Sequence, residues 1–249
     1  MPKSANIPQA LRDRALFCCW RLEDKNGKTT KIPYNPATGQ RAQTNNSKTF
    51  TDFATALRAV KQYSGLGFLI PKGMFAIDID NGRADDGSLK KHAAEIVDMF
   101  EDCYTEWTPS NNGLHILGRA EGLTFNKAMY WMNNKRLGVE VYLGGATNRF
   151  MTLTGNVYRA GDIAEKGDVL RAFLEKYMRR DNAAGPVHAI GVSALSDEAV
   201  IARAGRARNS ATFQKLWAGD ISGYSSQSEA DLVSRKYYCL HKTRNCGIL

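Results

Sequence analysis

Apolar positions along the first two-thirds of the chain alternate with polar ones in some stretches and recur every three or four residues in others. The period distinguishes strand from helix, because side chains alternate across a strand and stack along one helix face. A short helix over residues 9–16 precedes the run Phe17-Cys-Cys-Trp20, which reads as a strand. Asn26-Gly27 is a two-residue hairpin signal. The chain returns through Thr29–Ile32 and is expected to leave the sheet at Pro33-Tyr-Asn-Pro36. Phe53, Leu57 and Val60 share a face of a helix predicted over 52–63, with Thr51 or Asp52 as its cap. Gly65–Ile70 and Met74–Asp80 read as strands around a turn at Pro71-Lys-Gly73. Ser88 is placed to cap a helix with Leu89, Ala93, Ile96, Val97 and Phe100 on its apolar face. Strands near 103–108 and 113–118 follow. A polar connector then leads to a predicted hairpin, with arms Gly138–Leu143 and Phe150–Thr154 joined by Gly144–Asn148. Leu170, Phe173, Leu174 and Tyr177 mark a closing helix.

The periodicity disappears at Asp181–Ser193, where Ala, Gly and Pro dominate. The pattern therefore predicts a mixed α+β domain over 1–180, a linker over 181–195, and a small helical segment over 196–249. Helix-like pieces fall near 196–205, 209–218 and 228–240.

Composition adds one strong signal, a formal net charge of +9 over 249 residues. Such an excess favours a polyanionic partner, since lysines and arginines that neutralise phosphates release condensed counterions. No stretch approaches the roughly 20 apolar residues that span a bilayer, so no membrane partner is expected. Cys18, Cys19, Cys103, Cys239 and Cys246 are odd in number and lack CxxC spacing. That usage reads as reduced thiols in a cytoplasm. Cys239, His241 and Cys246 lie close together without a standard zinc spacing.

The candidate chemistry sits in four places. In Phe75-Ala-Ile-Asp-Ile-Asp80, the residues Phe75, Ile77 and Ile79 share one face and Asp78 and Asp80 the other. Two carboxylates at i and i+2 relieve their repulsion by binding a divalent cation or by protonation. Oxygen-only donors suit Mg²⁺ or Mn²⁺. A DxD pair also occurs in glycosyltransferases and nucleases, so alone it decides little. In Pro109-Ser-Asn-Asn-Gly-Leu-His-Ile116, a polar turn leads into a strand on which His115 faces away from Leu114 and Ile116. Such a histidine can donate to a triphosphate or ligate a metal, although a backbone carbonyl partner is the simpler reading for a lone histidine.

In Gly138-Val-Glu-Val-Tyr-Leu143, Glu140 and Tyr142 share the face opposite Val139, Val141 and Leu143. A glutamate between valines faces either solvent or a cation. If the sheet brings Asp78, Asp80 and Glu140 together, they can hold two metal ions, an arrangement suited to phosphoryl transfer. Arg149 opens the segment Arg149-Phe-Met-Thr-Leu-Thr-Gly155 and is able to fork onto phosphate oxygens. Phe150 is either core or a surface for a sugar or base. It cannot share a pocket with Arg149 without a bulge.

Taken in order, Asp78-Ile-Asp80, Ser110-Asn-Asn-Gly-Leu-His115, Glu140-Val-Tyr142 and Arg149-Phe-Met-Thr-Leu-Thr-Gly155 resemble the motifs of phage and plasmid primase–polymerases. These belong to the archaeo-eukaryotic primase superfamily. Lys31-Ile-Pro-Tyr-Asn-Pro36, Gly65-Leu-Gly-Phe68, Phe213–Asp220 and Ser225–Asp231 extend the resemblance over roughly residues 10–235. It implies a primase–polymerase catalytic fold with an RRM-like sheet, followed by a small C-terminal helical segment. It also implies two-metal nucleotidyl transfer to a primer 3′-hydroxyl on a single-stranded DNA template, with primer synthesis as a further activity. By the same resemblance, Asp78, Asp80 and Glu140 are the catalytic, metal-binding carboxylates for Mg²⁺ or Mn²⁺. Ser110, His115, Arg149 and Lys31 would bind the incoming dNTP or NTP. Asn111 stands where the family often has glycine. Such proteins commonly continue into a helicase, and no GxxxxGK[ST] occurs here, so a replicative helicase is expected as a partner outside this chain.

The rival readings fit less well. A glycosyltransferase explains neither Ser110–His115 nor the positive charge. A relaxase needs an HxH pair, which is absent. A non-catalytic single-stranded DNA-binding replication module would present exposed aromatics rather than carboxylates. DNA contacts are expected from Lys31, Arg41, Lys48, Lys127, Lys135 and Arg136, with Arg203, Arg206 and Arg208 either gripping the template or forming a solvated helix face.

Overall fold

The computed structural model describes residues 1–25, 27–180, 201, 205–206, 210–224, 227 and 230. Two compact units divide the chain at Ala183/Ala184. In the first, strands β1 (Leu16–Lys25), β2 (Lys28–Tyr34), β3 (Gly65–Leu69), β4 (Met74–Ile79), β5 (Tyr104–Trp107), β6 (Leu114–Arg119), β7 (Asn133–Asn134), β8 (Val139–Leu143), β9 (Phe150–Leu153) and β10 (Val157–Arg159) form two sheets. Helices are α1 (Gln9–Arg14), α2 (Phe53–Ala59), α3 (Lys91–Met99) and α4 (Gly167–Phe173), the last running into a π-helical turn, Leu174–Met178. The fold class is α+β. In the second unit, helix α5 (Ser210–Trp217) buries Phe213 and Leu216. The expected linker 181–195 lies outside the described residues. So do most of the pieces 196–205 and 228–240, with Arg203, Arg208, Cys239, His241 and Cys246.

The smaller sheet has strand order β2-β1-β3-β9 and the larger one β10-β5-β6-β4-β8-β7, with antiparallel pairing throughout. Alternation on β4 decides what each face of the large sheet meets. Phe75, Ile77 and Ile79 point with Leu114, Ile116, Val139 and Val141 into a core closed by Ile96 and Val97 of α3 and Leu170 and Phe173 of α4. Met74 and Ala76 point the other way, with Tyr104, Leu117 and Tyr142, into a second core shared with Phe17, Leu66 and Phe68 of the small sheet. Asp78 is the next residue on that second face, at the end of β4 where the apolar filling stops.

Three expectations are corrected. Gly138–Leu143 and Phe150–Thr154 do not form a hairpin: β8 pairs with β4 and β7, whereas β9 pairs with β3 in the other sheet. The segment 144–149 crosses between sheets, and any side chain at Gly144 would collide with the Pro71 backbone. That close approach, rather than hairpin chemistry, accounts for the glycine. Ser88 does not cap α3. Lys90 occupies the N-cap position, and Ser88 instead donates to Asp86 in the preceding turn. The chain also stays in the sheet through Pro33 to Tyr34, because β2 is an edge strand, where a proline is tolerated, and on its outer side the Pro33 carbonyl accepts the Ala42 N–H at 2.8 Å. Asp52 caps α2 as expected, accepting from the Thr55 N–H at 2.9 Å.

Candidate active site

Register lines up the site. Asp78 on β4 stands opposite His115 on β6 and Glu140 on β8. His115 in turn faces Glu106 on β5, and Glu140 faces Asn133 on β7. One row therefore crosses five strands in the order Glu106, His115, Asp78, Glu140, Asn133. The row behind it, Tyr104, Leu117, Ala76 and Tyr142, is apolar and buried, and it seals the site from that side.

Asp78, Asp80 and Glu140 share one electrostatic neighbourhood. Burial pushes the Asp78 carboxyl above its ordinary range, with Asp80 adding to the shift while His115 and Lys31 oppose it. Burial likewise raises Glu140, reinforced by Asp78 and Asp80 and opposed by Arg149. Asp80 lies just past β4, exposed, and is fixed by its own N–H to the Gly138 carbonyl at 2.7 Å. Asn133 donates to Glu140 Oε1. Asp78 Oδ1 is buried without a hydrogen-bond partner, and His115 Nε2 stands 3.8 Å away, too far to supply one.

Such an orphaned carboxylate oxygen, beside two more carboxylates, has the donor chemistry of a hard-cation site. Among the described residues, no three His, Cys, Asp or Glu side chains converge tightly enough to hold an ion by themselves. The fit is to Mg²⁺ or Mn²⁺, which keep waters and substrate phosphates among their ligands, and not to an all-protein cage.

The turn after β5 is built by short side chains. Asn111 sits at φ 58°, in the left-handed region, which asparagine tolerates and glycine favours. Its neighbours tie the turn to the end of β4: Asn112 donates to Asn81 Oδ1 at 2.8 Å, and a Cβ at Gly113 would strike the Ile79 carbonyl. Ser110 is exposed on this turn, its hydroxyl 3.0 Å from that of Thr108. His115 is not beside it in solvent. Its side chain is 2% exposed, wedged between Asp78 and Glu106. Burial opposes charge on the ring, but the hydrogen bond to Glu106 and the charge of Asp78 outweigh it, so the imidazole titrates higher than usual.

The residue that sequence reasoning missed is Glu106, which has no exposed surface. Its Oε1 lies 3.2 Å from His115 Nδ1 and accepts the Thr154 N–H at 2.9 Å. Its Oε2 accepts from Tyr104 Oη at 2.8 Å and from the Gly155 N–H at 2.7 Å. The Thr154-Gly155 end of the fourth motif thus clamps a carboxylate. Glu106 stands between Thr105 and Trp107, so it lacks the pair of apolar flanks that singled out Glu140.

Lys31 and Arg149 are both brought near the row: Lys31 acts electrostatically on Asp78 and His115, and Arg149 on Glu140. Phe150 is not at the site; its ring fills the space over Gly67 and packs with Cys18, Ala42 and Phe50. Arg41 is engaged with Glu23.

Comparison with protein-family models gives no match. Over 201 residues, 78% of its length, the chain is 30% identical to a protein of Nitratiruptor phage NrS-1 named DNA Primase-polymerase. It spans about a quarter (26%) of that relative. The motif order and this relationship together give one conclusion: the chain belongs to the phage primase–polymerase family.

Proposed function

We propose that this chain is the catalytic module of a template-directed DNA primase–polymerase. In this reading its two sheets form the primase–polymerase catalytic fold, with the large one as the RRM-like sheet. It adds dNTPs, and NTPs in priming, to a primer 3′-hydroxyl on single-stranded DNA. It acts in phage or plasmid replication in the cytoplasm of a bacterial host, alongside a replicative helicase. The observation that carries the reading is the unpartnered Asp78 oxygen flanked by Asp80 and Glu140.

Asp78, Asp80 and Glu140 would hold two Mg²⁺ or Mn²⁺ ions, which when bound activate the 3′-hydroxyl and stabilise the pyrophosphate leaving group. The chain's own residues do the rest. Ser110, exposed on its turn, receives the triphosphate, and Arg149 and Lys31 neutralise it from the other elements. His115, held through Nδ1 by Glu106, carries its Nε2 to 3.8 Å from Asp78, where it acts on that carboxylate through charge and not through a hydrogen bond. Glu106 is a positioning residue, two contacts from the chemistry.

Nucleotide incorporation on single-stranded DNA, with and without a primer and with Mg²⁺ or Mn²⁺, tests the reading. Metal-dependent products that vanish in Asp78→Asn/Asp80→Asn support a polymerase, and products without primer add priming. A folded wild-type protein that binds DNA but incorporates nothing under any of these conditions would favour the non-catalytic single-stranded DNA-binding module instead.

A further inference from the structure

Beyond Glu140, on the side of the row away from His115, the edge of the large sheet opens into a cavity of about 510 Å³. Its lining includes Trp131, Asn133, Lys135, Arg136, Lys176 and Arg179, and contains four cations but no carboxylate. Lys176 pairs with Glu95 at 3.0 Å, and Arg179 with Glu175, so part of this charge is balanced from outside the cavity. Trp131 is 42% exposed, and the Arg180 guanidinium lies over its ring at 3.6 Å. Neither wall is loose. The Trp131 N–H donates to the Met178 carbonyl at 2.7 Å, and the Arg180 N–H to Met129 at 2.9 Å. Asn134 Nδ2 donates to the Tyr177 carbonyl at 2.6 Å. Asn133 borders both the cavity and the active site: it lines the one and donates to Glu140 in the other.

A cationic groove tracks a phosphate backbone of any sequence, and an exposed aromatic adds stacking for an unpaired base. A duplex needs no such platform, because its bases are already stacked. We propose that this groove seats single-stranded DNA leading into the active site, with Trp131 and Arg180 as a base-stacking platform and Lys135 and Arg136 on the backbone. The triphosphate turn at Ser110 lies on the β6 side of the row and the groove on the β7 side. Nucleotide and strand thus reach the carboxylates from opposite directions. This assignment deepens the polymerase reading and rests on it.

The test measures binding of a fluorescent oligothymidylate by anisotropy over a series of salt concentrations, using the full chain. Trp131→Ala should weaken binding about tenfold, from the stacking lost per base, while Trp131→Phe keeps most of it. Lys135→Ala/Arg136→Ala should flatten the dependence of log affinity on log salt by about 1.4, near 0.7 for each phosphate released. Both sites are exposed, and unchanged thermal melting checks that the variants are folded. Wild-type affinity and an unchanged salt slope in both variants would overturn the groove, whatever the enzyme does. The polymerase reading is scored separately, by wild-type incorporation: product formation with no binding defect in the variants sinks the groove alone.

Discussion

Glu106 and Asp78 are carboxylates two strands apart in the same row of the same sheet, and they have opposite electrostatic fates. Glu106 is fully enclosed, and each of its oxygens is met by donors from a backbone N–H and a side chain. Asp78 is partly open, and its inner oxygen has no partner at all. A buried carboxylate whose acceptor sites are filled holds structure together. One left unfilled beside other carboxylates stores repulsion that a cation can relieve. The difference lies in what the chain supplies next to each. Thr154-Gly155 closes over Glu106, whereas Asp78 has His115 out of hydrogen-bond reach, the charge of Lys31 and further acids around it, and no hydrogen-bond donor to its inner oxygen.

The sharpest way to break this contrast is to neutralise each residue alone and read both activity and stability. On the proposed two-metal reading, Asp78→Asn should cost at least about 10³-fold in incorporation, since losing a cation ligand would remove transition-state charge stabilisation worth several kcal/mol. The same change should leave the melting temperature of the metal-free protein unchanged or raised, because an unpaired, repelled charge has gone. A melting temperature well below wild type would mean that Asp78 is a structural acid after all.

Glu106→Gln should do the reverse in rank. Its new amide NH₂ would face N–H and O–H donors, leaving buried groups unpaired at a cost of about 3 kcal/mol. Denaturant unfolding measures this directly as a lower midpoint at constant slope. Incorporation should fall less than in Asp78→Asn and fall in kcat more than in KM, since His115 loses its orientation while the Ser110 turn is untouched. If Glu106→Gln unfolds like wild type, the clamp contributes no stability and the comparison fails.

Much of this arrangement is written in the sequence. Alternation on β4 and β8 already puts Asp78 opposite Phe75 and Ile77, and Glu140 opposite Val139 and Val141. The closeness of those two strands is not written there, because it depends on pairing between segments some sixty residues apart. Local pattern carries no register between distant strands, which explains why the β8–β9 hairpin was misread. Two neighbouring strand-like runs with a glycine-rich connector look alike whether they pair together or join different sheets. Glu106 was missed for a different reason. Its partners Thr154 and Gly155 lie in a motif read from Arg149 inward, and backbone donors leave no side-chain signature.

A smaller effect sharpens the contrast at the turn 110–113, proposed to receive the triphosphate. Asn111 holds φ 58°, so Asn111→Gly should be nearly neutral, while Asn111→Val should cost about 1–2 kcal/mol from Cβ strain in the left-handed region. If valine is tolerated without loss of stability, the backbone there has relaxed to another conformation. In that case the apparent KM for nucleotide should rise instead.

The last comparison turns on pH and is the smallest, and only its sign is at issue. Glu140 titrates above its ordinary value, chiefly through burial and then through Asp78 and Asp80. Folding therefore favours its protonated form, and its ionisation costs stability. That cost is absent below the unfolded-state value near about 4 and complete once pH has risen past the folded value. The His115 imidazole, also raised, adds stability at low pH that disappears as pH climbs through its own folded value. Because the histidine is retained in both proteins, it largely cancels from the difference between wild type and Glu140→Gln. Thermal melts of the metal-free proteins from pH 4 upward should show the variant gaining on wild type as pH rises. Saturating Mg²⁺ or Mn²⁺ should shrink that gain by stabilising only the protein that keeps its full set of carboxylates. A gap that stays flat with pH would show that Glu140 carries no folding-linked charge cost, and with it would go the claim that the β8 side of the row is held under repulsion.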